Sequence, residues 1–154
     1  MSLSSAVRQG STAKEGPIAM EMTTTRRRIL VIDHDDDVRG FLCDRLSAIG
    51  LEVAAENNGV SGLSRVAYDW ETAPFHGVLV ELQMPVLGGM AVLQEMRERY
   101  PTVSVIVMSG AEHIEKLRRT IKFGAREYLV KPFDAELLRR KCMSVFLDGK
   151  DSKS

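Results

Sequence analysis

The stretch that decides the fold is residues 77–85, which read GVLVELQMP and are followed by Gly88 and Gly89. The first four of these residues are small or apolar and rich in β-branched side chains, the pattern of a buried strand. Glu81 ends this run, and a loop with Pro85 and the two glycines follows it. The pattern therefore predicts a buried strand that presents a carboxylate at its carboxyl end, where open α/β sheets place their functional groups.

The same unit, an apolar run followed by a loop and an amphipathic segment, occurs five times. The runs are continuously apolar rather than alternating, which indicates strands covered on both faces and hence a parallel sheet. Right-handed crossovers leave few topologies for five such units. We therefore predict an α/β fold of the flavodoxin type, a doubly wound (βα)5 with a five-stranded parallel sheet in the order 2-1-3-4-5. The predicted strands are residues 29–32, 51–55, 78–80, 103–108 and 128–130.

Helices are predicted between the strands, because apolar residues recur there at helical spacing. In the fourth helix these residues are Ile114, Leu117 and Ile121, and we expect all three in the core. The residues expected to cap or end the helices are Gly50, Asn58, Pro101, Gly124 and Asp134.

Composition bounds the class of protein. The chain has 154 residues and zero formal net charge at pH 7, so one domain is expected and charge gives no reason to predict nucleic-acid binding. No apolar run approaches the roughly 20 residues that span a bilayer, and no signal peptide is recognised, so we expect a cytoplasmic protein that does not bind membranes. The predicted organisation is a disordered tail over residues 1–27, one domain over 28–148 and a short tail over 149–154. Cys43 and Cys142 are expected to be unpaired.

Polar residues follow four of the five predicted strands, namely Asp33, Glu81, Ser109 and Lys131. The carboxyl ends of parallel strands meet at one edge of the sheet, so these side chains should lie together. Carboxylates can hold Mg²⁺ and one can act as a nucleophile, while a hydroxyl and an ammonium group can hold the transferred oxygens. The set is therefore suited to handling a phosphoryl group.

At these positions the chain closely resembles the receiver domain of two-component response regulators. The resemblance covers about residues 28–147 and implies a flavodoxin-like fold and a signalling role, not an enzymatic one, in a phosphorelay. It also implies a cis bond between Lys131 and Pro132, which only about 5–6% of X-Pro bonds adopt. The segments that carry the resemblance are residues 29–35 (ILVIDHD) with Arg39, 82–85 (LQMP) with Gly88-Gly89, 108–110 (MSG) and 128–133 (YLVKPF).

The resemblance also implies a role for each site residue. Two positions depart from the family's pattern: His34 stands where a second metal-binding acid is usual, and Glu81 stands where an aspartate receives the phosphoryl group. The remaining roles are first metal-binding acid for Asp33, switch hydroxyl for Ser109, switch aromatic for Tyr128, active-site lysine for Lys131 and a backbone metal ligand at Gln83.

Both departures concern the chemistry of the site. An imidazole at His34 is a poor ligand for Mg²⁺, which prefers oxygens in near-octahedral geometry. The extra methylene of Glu81 displaces its carboxylate by about 1.5 Å, and reacting groups misplaced by that distance lose large factors in rate. We therefore expect weak or absent Mg²⁺ binding, no other cofactor and no phosphorylation in the usual way.

The sequence leaves two interpretations of Glu81 open. In the first, Glu81 mimics a phosphorylated aspartate through a hydrogen bond with Ser109 and an ion pair with Lys131, and so keeps Tyr128 turned inward. This mimicry would be partial, because a carboxylate carries less charge than a phosphate. In the second, Glu81 only neutralises the lysine in a fixed pocket. His34 is either a pH sensor or a hydrogen-bond partner that fills the place of the metal.

The predicted partners are signalling proteins, either a histidine kinase or a downstream effector, and a homodimer is a further option. Receivers commonly dock partners on the face formed by the fourth helix, the fifth strand and the fifth helix, and this face is basic here. A solvated basic surface is the alternative interpretation. The cations concerned are Lys116, Arg118, Arg119, Lys122, Arg126, Arg139 and Arg140.

The rival from another class is a phosphatase of the haloacid-dehalogenase type, which also begins with a strand ending in Asp-x-Asp. Asp33 and Asp35 satisfy that motif, but such an enzyme also needs a downstream acidic pair that is not recognised here. We expect Asp36 and Asp37 to cap a helix rather than to bind a metal. Direct binding to nucleic acid is not expected, because it would need an output domain.

Overall fold

The computed structural model describes residues 26–148. Five parallel strands form one sheet in the order β2-β1-β3-β4-β5, which is the predicted order. The tails predicted over residues 1–27 and 149–154 lie outside the described residues, except for Arg26 and Arg27. The strands are β1 (Arg28–Ile32), β2 (Glu52–Glu56), β3 (Gly77–Glu81), β4 (Ser104–Gly110) and β5 (Glu127–Lys131).

A helix follows each strand. The fourth is short and lies between two 3-10 turns, Ala111–His113 and Thr120–Phe123, and the fifth continues as a π-helix over Met143–Asp148. In residues 26–148, no helix is long and apolar enough to cross a membrane. The helices are α1 (Asp36–Ala48), α2 (Gly59–Asp69), α3 (Gly89–Arg99), α4 (Ile114–Arg119) and α5 (Ala135–Cys142).

The sheet lies between two apolar layers, as expected for continuously apolar strands. Alternate residues of β1 face opposite layers: Leu30 packs with residues of α2, α3 and α4, and Val31 packs with residues of α1 and α5. Both residues are fully buried. Because neither face of the sheet is open to solvent, the polar residues of the strands are confined to the strand ends.

Most of the predicted helix ends are confirmed. Gly50 and Gly124 adopt φ values of 97° and 108°, which favour glycine after a helix. Asn58 accepts a hydrogen bond from Ser61 N, and Asp134 accepts one from Leu137 N. The bond between Lys131 and Pro132 is cis, as the resemblance implies.

Two predictions about helix residues are wrong. The side chain that caps α1 is that of Asp35, which accepts from Asp37 N and Val38 N, so Asp36 and Asp37 lie in the first turn instead. Ile121 is 43% exposed rather than in the core. The reason is that α4 ends at Arg119 and the chain continues as a tighter 3-10 turn, which changes the angular spacing of the side chains.

The two cysteines lie in helices and are unpaired, as predicted. Burial raises the pKa of the Cys142 thiol to about 12. A thiol that stays protonated is a poor nucleophile and a poor metal ligand, so Cys142 contributes packing rather than chemistry.

Candidate functional site

The functional edge brings together one residue from each of three strand ends. Strands β1 and β3 are neighbours, with Ile32 paired to Val80, so Asp33 and Glu81 follow paired residues. Lys131 comes from β5, two strands from β3, and its long side chain reaches both carboxylates. Its Nζ donates to Asp33 Oδ2 at 2.8 Å and to Glu81 Oε1 at 3.2 Å. The two acids are buried, so this ammonium group neutralises charge that solvent does not reach.

His34 closes the pocket on its exposed side. Its Nδ1 lies 2.8 Å from Glu81 Oε2 and 3.0 Å from Oε1, while 53% of its side chain remains exposed. Asp33 is more distant, with 3.9 Å between Oδ1 and the same nitrogen. Both nitrogens hydrogen-bond to Oε1, and Oε2 also lies close to His34 Nδ1, so the carboxylate is held between Lys131 and His34.

The turn after β1 holds Asp33 in place. Its Oδ1 accepts a hydrogen bond from Asp35 N at 2.9 Å, and its carbonyl accepts one from the Arg39 guanidinium at 2.8 Å. The Asp35 carboxylate is engaged in capping α1 and is not part of the pocket. The second acid of the Asp-x-Asp motif is therefore used for helix capping, which weakens the geometric basis of the phosphatase alternative.

The start of α3 supports Glu81 from behind. Gly89 N donates to Leu82 O at 2.8 Å, and Leu82 N donates to Met108 O at 2.7 Å. A Cβ at Gly89 would lie 2.4 Å from Glu81 O and 2.8 Å from Leu82 Cα, so only glycine permits this approach. The glycine pair recognised in the sequence thus sets the distance between α3 and the residue at the centre of the site.

The charges of the site are strongly coupled. Burial alone would raise the pKa of Asp33, but hydrogen bonding with Glu81 and Lys131 outweighs it and lowers that pKa. Burial and then the nearby Asp33 raise the pKa of Glu81, although Lys131 opposes them. Burial would lower the pKa of Lys131, but the two carboxylates outweigh it and raise that pKa. The pocket therefore favours an ionised Asp33 paired with a charged Lys131, and Glu81 is the acid that takes up a proton first.

Ser109 and Tyr128 form no hydrogen bond with Glu81 within residues 26–148. Ser109 is 2% exposed, and no hydrogen bond of its hydroxyl occurs within residues 26–148. Tyr128 is half-buried and packs against the core layer beneath α4. The mimicry interpretation requires a hydrogen bond between Ser109 and Glu81, which the described chain lacks, and an ion pair with Lys131, which it has. Glu81 engages charged partners instead of a neutral hydroxyl.

The family implies a Mg²⁺ ion at this edge, and the donor atoms present do not fit it. Asp33, His34 and Glu81 place one ligand atom each within 4.8 Å of one another. One of these atoms is an imidazole nitrogen, which Mg²⁺ accepts poorly. The Lys131 ammonium group also lies 2.8 Å from Asp33 and would compete with a cation for its charge.

Sequence reasoning missed one residue next to the site. Lys141, on α5, donates to Tyr128 O at 2.7 Å and lies 5.1 Å from the centre of the tyrosine ring. It also pairs with Glu127 at 3.1 Å. No local pattern identifies such a contact, because it depends on how α5 packs beside β5.

The chain belongs to the response regulator receiver family, because the family model described as "Response regulator receiver domain" matches residues 29–142. It is similar to the regulatory protein AtoC of Escherichia coli (strain K12), with 33% identity over 115 residues that cover 75% of this chain and 24% of AtoC. It is also similar to the transcriptional regulatory protein PrrA of Mycobacterium tuberculosis, with 34% identity over 122 residues that cover 79% of this chain and 51% of PrrA.

The comparison with solved structures agrees on the fold. The chemotaxis protein CheY4 of Vibrio cholerae superimposes with a TM-score of 0.70 at 24% identity, covering 79% of this chain and all of CheY4. The fold is therefore that of CheY-like, flavodoxin-type proteins. The chain spans about a quarter to a half of the length of the curated relatives it matches.

Membership of the family settles the class of function. Receiver domains of response regulators act in two-component signalling, where they interact with histidine kinases and effectors, and they are in general signalling modules rather than enzymes. The phosphatase alternative finds no support in these comparisons.

Proposed function

We propose that this receiver domain is not phosphorylated in the usual way and acts as a protein-interaction module whose site is held by its own side chains. One observation carries the proposal. The carboxylate at the phosphoacceptor position, Glu81, is held by two nitrogen groups: Oε1 accepts from Lys131 at 3.2 Å, and His34 Nδ1 lies 3.0 Å from Oε1 and 2.8 Å from Oε2. In-line attack on phosphorus needs a carboxylate that can leave such partners, and this one is held between two of them.

The chemistry of the pocket supports the same proposal. Phosphoryl transfer depends on positioning and on cations that neutralise the developing charge. Lys131 is the family's cation for this purpose, and here it pairs with Asp33 and Glu81. We propose that Mg²⁺ binds weakly or not at all, with Asp33 as the best remaining ligand and the backbone of Gln83 as a further one.

The role of Glu81 as a mimic of phosphoaspartate is proposed in a restricted form. Its ion pair with Lys131 reproduces the contact that a phosphoryl group would make with the lysine. The contact with Ser109 is replaced by His34, so any effect on Tyr128 has to pass through Lys131 and the packing of β5. The state of the switch residues is therefore determined by the glutamate at position 81 and not by phosphorylation.

We propose that signalling partners, a kinase or a downstream effector, dock on the face formed by α4, β5 and α5, with a homodimer as a second use of it. Some of its cations are neutralised locally, since Arg118 pairs with Glu115 and Arg139 with Glu136. Lys122 forms no ion pair within residues 26–148 and is available to an acidic partner. We propose a cytoplasmic location and no direct contact with nucleic acid.

Incubation with acetyl phosphate and Mg²⁺, followed by intact mass measurement, tests the proposal. We expect no gain of a phosphoryl mass by the wild-type chain. The matched control is the double variant His34→Asp/Glu81→Asp, which restores the family's acids and should gain one phosphoryl group that hydroxylamine removes. A hydroxylamine-labile gain by the wild type would contradict the proposal.

A further inference from the structure

A groove of about 390 Å³ runs between α3 and α4, on the side of α4 away from β5. The residues on the β3–α3 side are mainly apolar and include Leu82, Met90 and Ala91. The other wall carries Lys116, Arg119 and Phe123. The groove is thus apolar on one side and cationic on the other, a combination that neither the core nor the phosphoacceptor site requires.

The cationic wall is not neutralised by the domain itself. Lys116 and Arg119 are one turn apart on α4, and Phe123, at the end of the 3-10 turn that follows, lines the same groove. Neither Lys116 nor Arg119 forms an ion pair within residues 26–148, although Arg118 between them does. Phe123 is 42% exposed beside them. An aromatic ring flanked by unpaired cations suits a partner that is both apolar and acidic.

The loop that leads into the groove carries a second unexplained feature. Val86 is 97% exposed and has a φ of 69°, where a β-branched residue is strained. Leu87 N donates to Pro85 O at 2.8 Å, which closes a turn around this one residue. The positive φ belongs to this turn, and the exposed valine lies on the loop whose residues Gln83 and Gly88 line the groove.

We propose that the α3–α4 groove docks an amphipathic helix of another protein, with apolar side chains on one face and carboxylates along the edge of that face. Apolar anchors would enter between Met90 and Phe123, and the carboxylates would meet Lys116 and Arg119. A nucleic acid or a free phosphate would leave the apolar side uncovered, so charge and apolarity together favour an acidic helix. The surface shares Lys116 and Arg119 of α4 with the α4–β5–α5 face but is completed by the start of α3, and it does not depend on whether Glu81 accepts a phosphoryl group.

An NMR titration of the full, ¹⁵N-labelled chain tests the groove. The probe is a designed peptide of about 18 residues, or about five helical turns, with leucines on one face and glutamates at its edges. A second peptide carries lysine in place of each glutamate. We expect the acidic peptide to shift the amide signals of Met90, Ala91 and Phe123, and the basic peptide to leave them in place.

Charge reversal assigns the contact to one face of α4. The double variant Lys116→Glu/Arg119→Glu should weaken binding of the acidic peptide by about tenfold or more. The matched control Arg139→Glu/Arg140→Glu, on α5, should change it by less than about twofold. Val86→Gly should weaken binding while leaving the melting temperature unchanged or higher, because glycine relieves the positive φ.

Four results would overturn the proposal: no binding of the acidic peptide, equal binding of the basic one, a larger loss in the α5 control than in the α4 variant, or unchanged affinity in Val86→Gly. None of them bears on the mass measurement with acetyl phosphate, which uses no peptide. Failure of the groove and failure of the proposed function are therefore distinguishable.

Discussion

The functional edge of the sheet has two halves whose side chains are satisfied in different ways. In the half beside β1 and β3, Asp33, His34 and Glu81 lie within reach of one another and exchange close contacts. In the half beside β4 and β5, Ser109 is buried without a hydrogen bond of its hydroxyl in residues 26–148, and Tyr128 rests on the core. The carboxylates are thus concentrated in the first half, while the second half contributes a hydroxyl and an aromatic ring.

Lys131 joins the two halves. It belongs to β5, yet its ammonium group is 2.8 Å from Asp33 and 3.2 Å from Glu81. A change at Glu81 should therefore be felt first by Lys131 and only through it by the switch residues. In this chain the lysine is satisfied by the carboxylates of the first half without help from the second.

The largest expected effect comes from breaking this link. Lys131→Met leaves two buried carboxylates without their cation and should lower the free energy of unfolding by about 3 kcal/mol. Adding Glu81→Gln should recover part of the loss, because one buried carboxylate then remains. Urea denaturation measures both variants. The exposed Lys122→Met is the matched control, and an equal cost in the two single lysine variants would contradict the account.

A smaller loss is expected from disturbing the support behind Glu81. Gly89→Ala places a Cβ 2.4 Å from Glu81 O and should destabilise the domain by about 2 kcal/mol through overpacking. In Gly40→Ala, within α1, the new Cβ meets nothing within 4 Å and should stabilise by about 1 kcal/mol. Thermal and urea unfolding of the pair measure the difference, and effects of the same sign would argue against the close approach.

The charge of Glu81 predicts a smaller, pH-dependent effect. Its pKa is raised in the folded state by burial and by Asp33, so its favourable contribution is complete below its ordinary value of 4.5 and is lost as the pH rises through the folded value. Glu81→Gln removes this dependence. The melting temperature of the variant minus that of the wild type should therefore increase from pH 4.5 to pH 7. A difference that decreases over this range would contradict the prediction.

The smallest effect is expected in the second half of the site. Ser109→Ala removes a hydroxyl that bonds to no partner in the described chain, so the free energy of unfolding should change by less than about 0.5 kcal/mol. A hydroxyl that donated to Glu81 would instead cost about 1 kcal/mol when removed. The two outcomes decide whether Glu81 and Ser109 are coupled directly.

The sheet order and the identity of the edge residues could be predicted from the sequence, because both follow from local patterns repeated five times. The predicted strand boundaries are less accurate than the predicted strand order. Strand β2 begins at Glu52 and not at Leu51, because Leu51 N bonds to Leu46 O and closes the end of α1 around Gly50. An apolar run in the sequence does not show which of its residues hydrogen-bond to the end of the preceding helix.

The ion pair between Glu81 and Lys131 could be predicted from the sequence and is confirmed, but the geometry of Glu81 toward His34 and Ser109 could not. The partners of Glu81 depend on the reach of Lys131 across β4 and on the turn that places His34, which are tertiary features. Asp35 also illustrates the limit: as a motif it suggested metal or phosphoryl chemistry, and as a side chain it accepts from Asp37 N at 2.8 Å. Residue types and their spacing in the sequence identify the site residues, whereas their roles follow from the contacts seen in the structure.

The most direct test of the central claim is the electron density around Glu81 in crystals grown with Mg²⁺. The account predicts no metal at Asp33 and Glu81, with Lys131 Nζ within hydrogen-bonding distance of both carboxylates and His34 Nδ1 against Glu81. A Mg²⁺ ion bound by the two acids, with Lys131 displaced and His34 turned away, would contradict it.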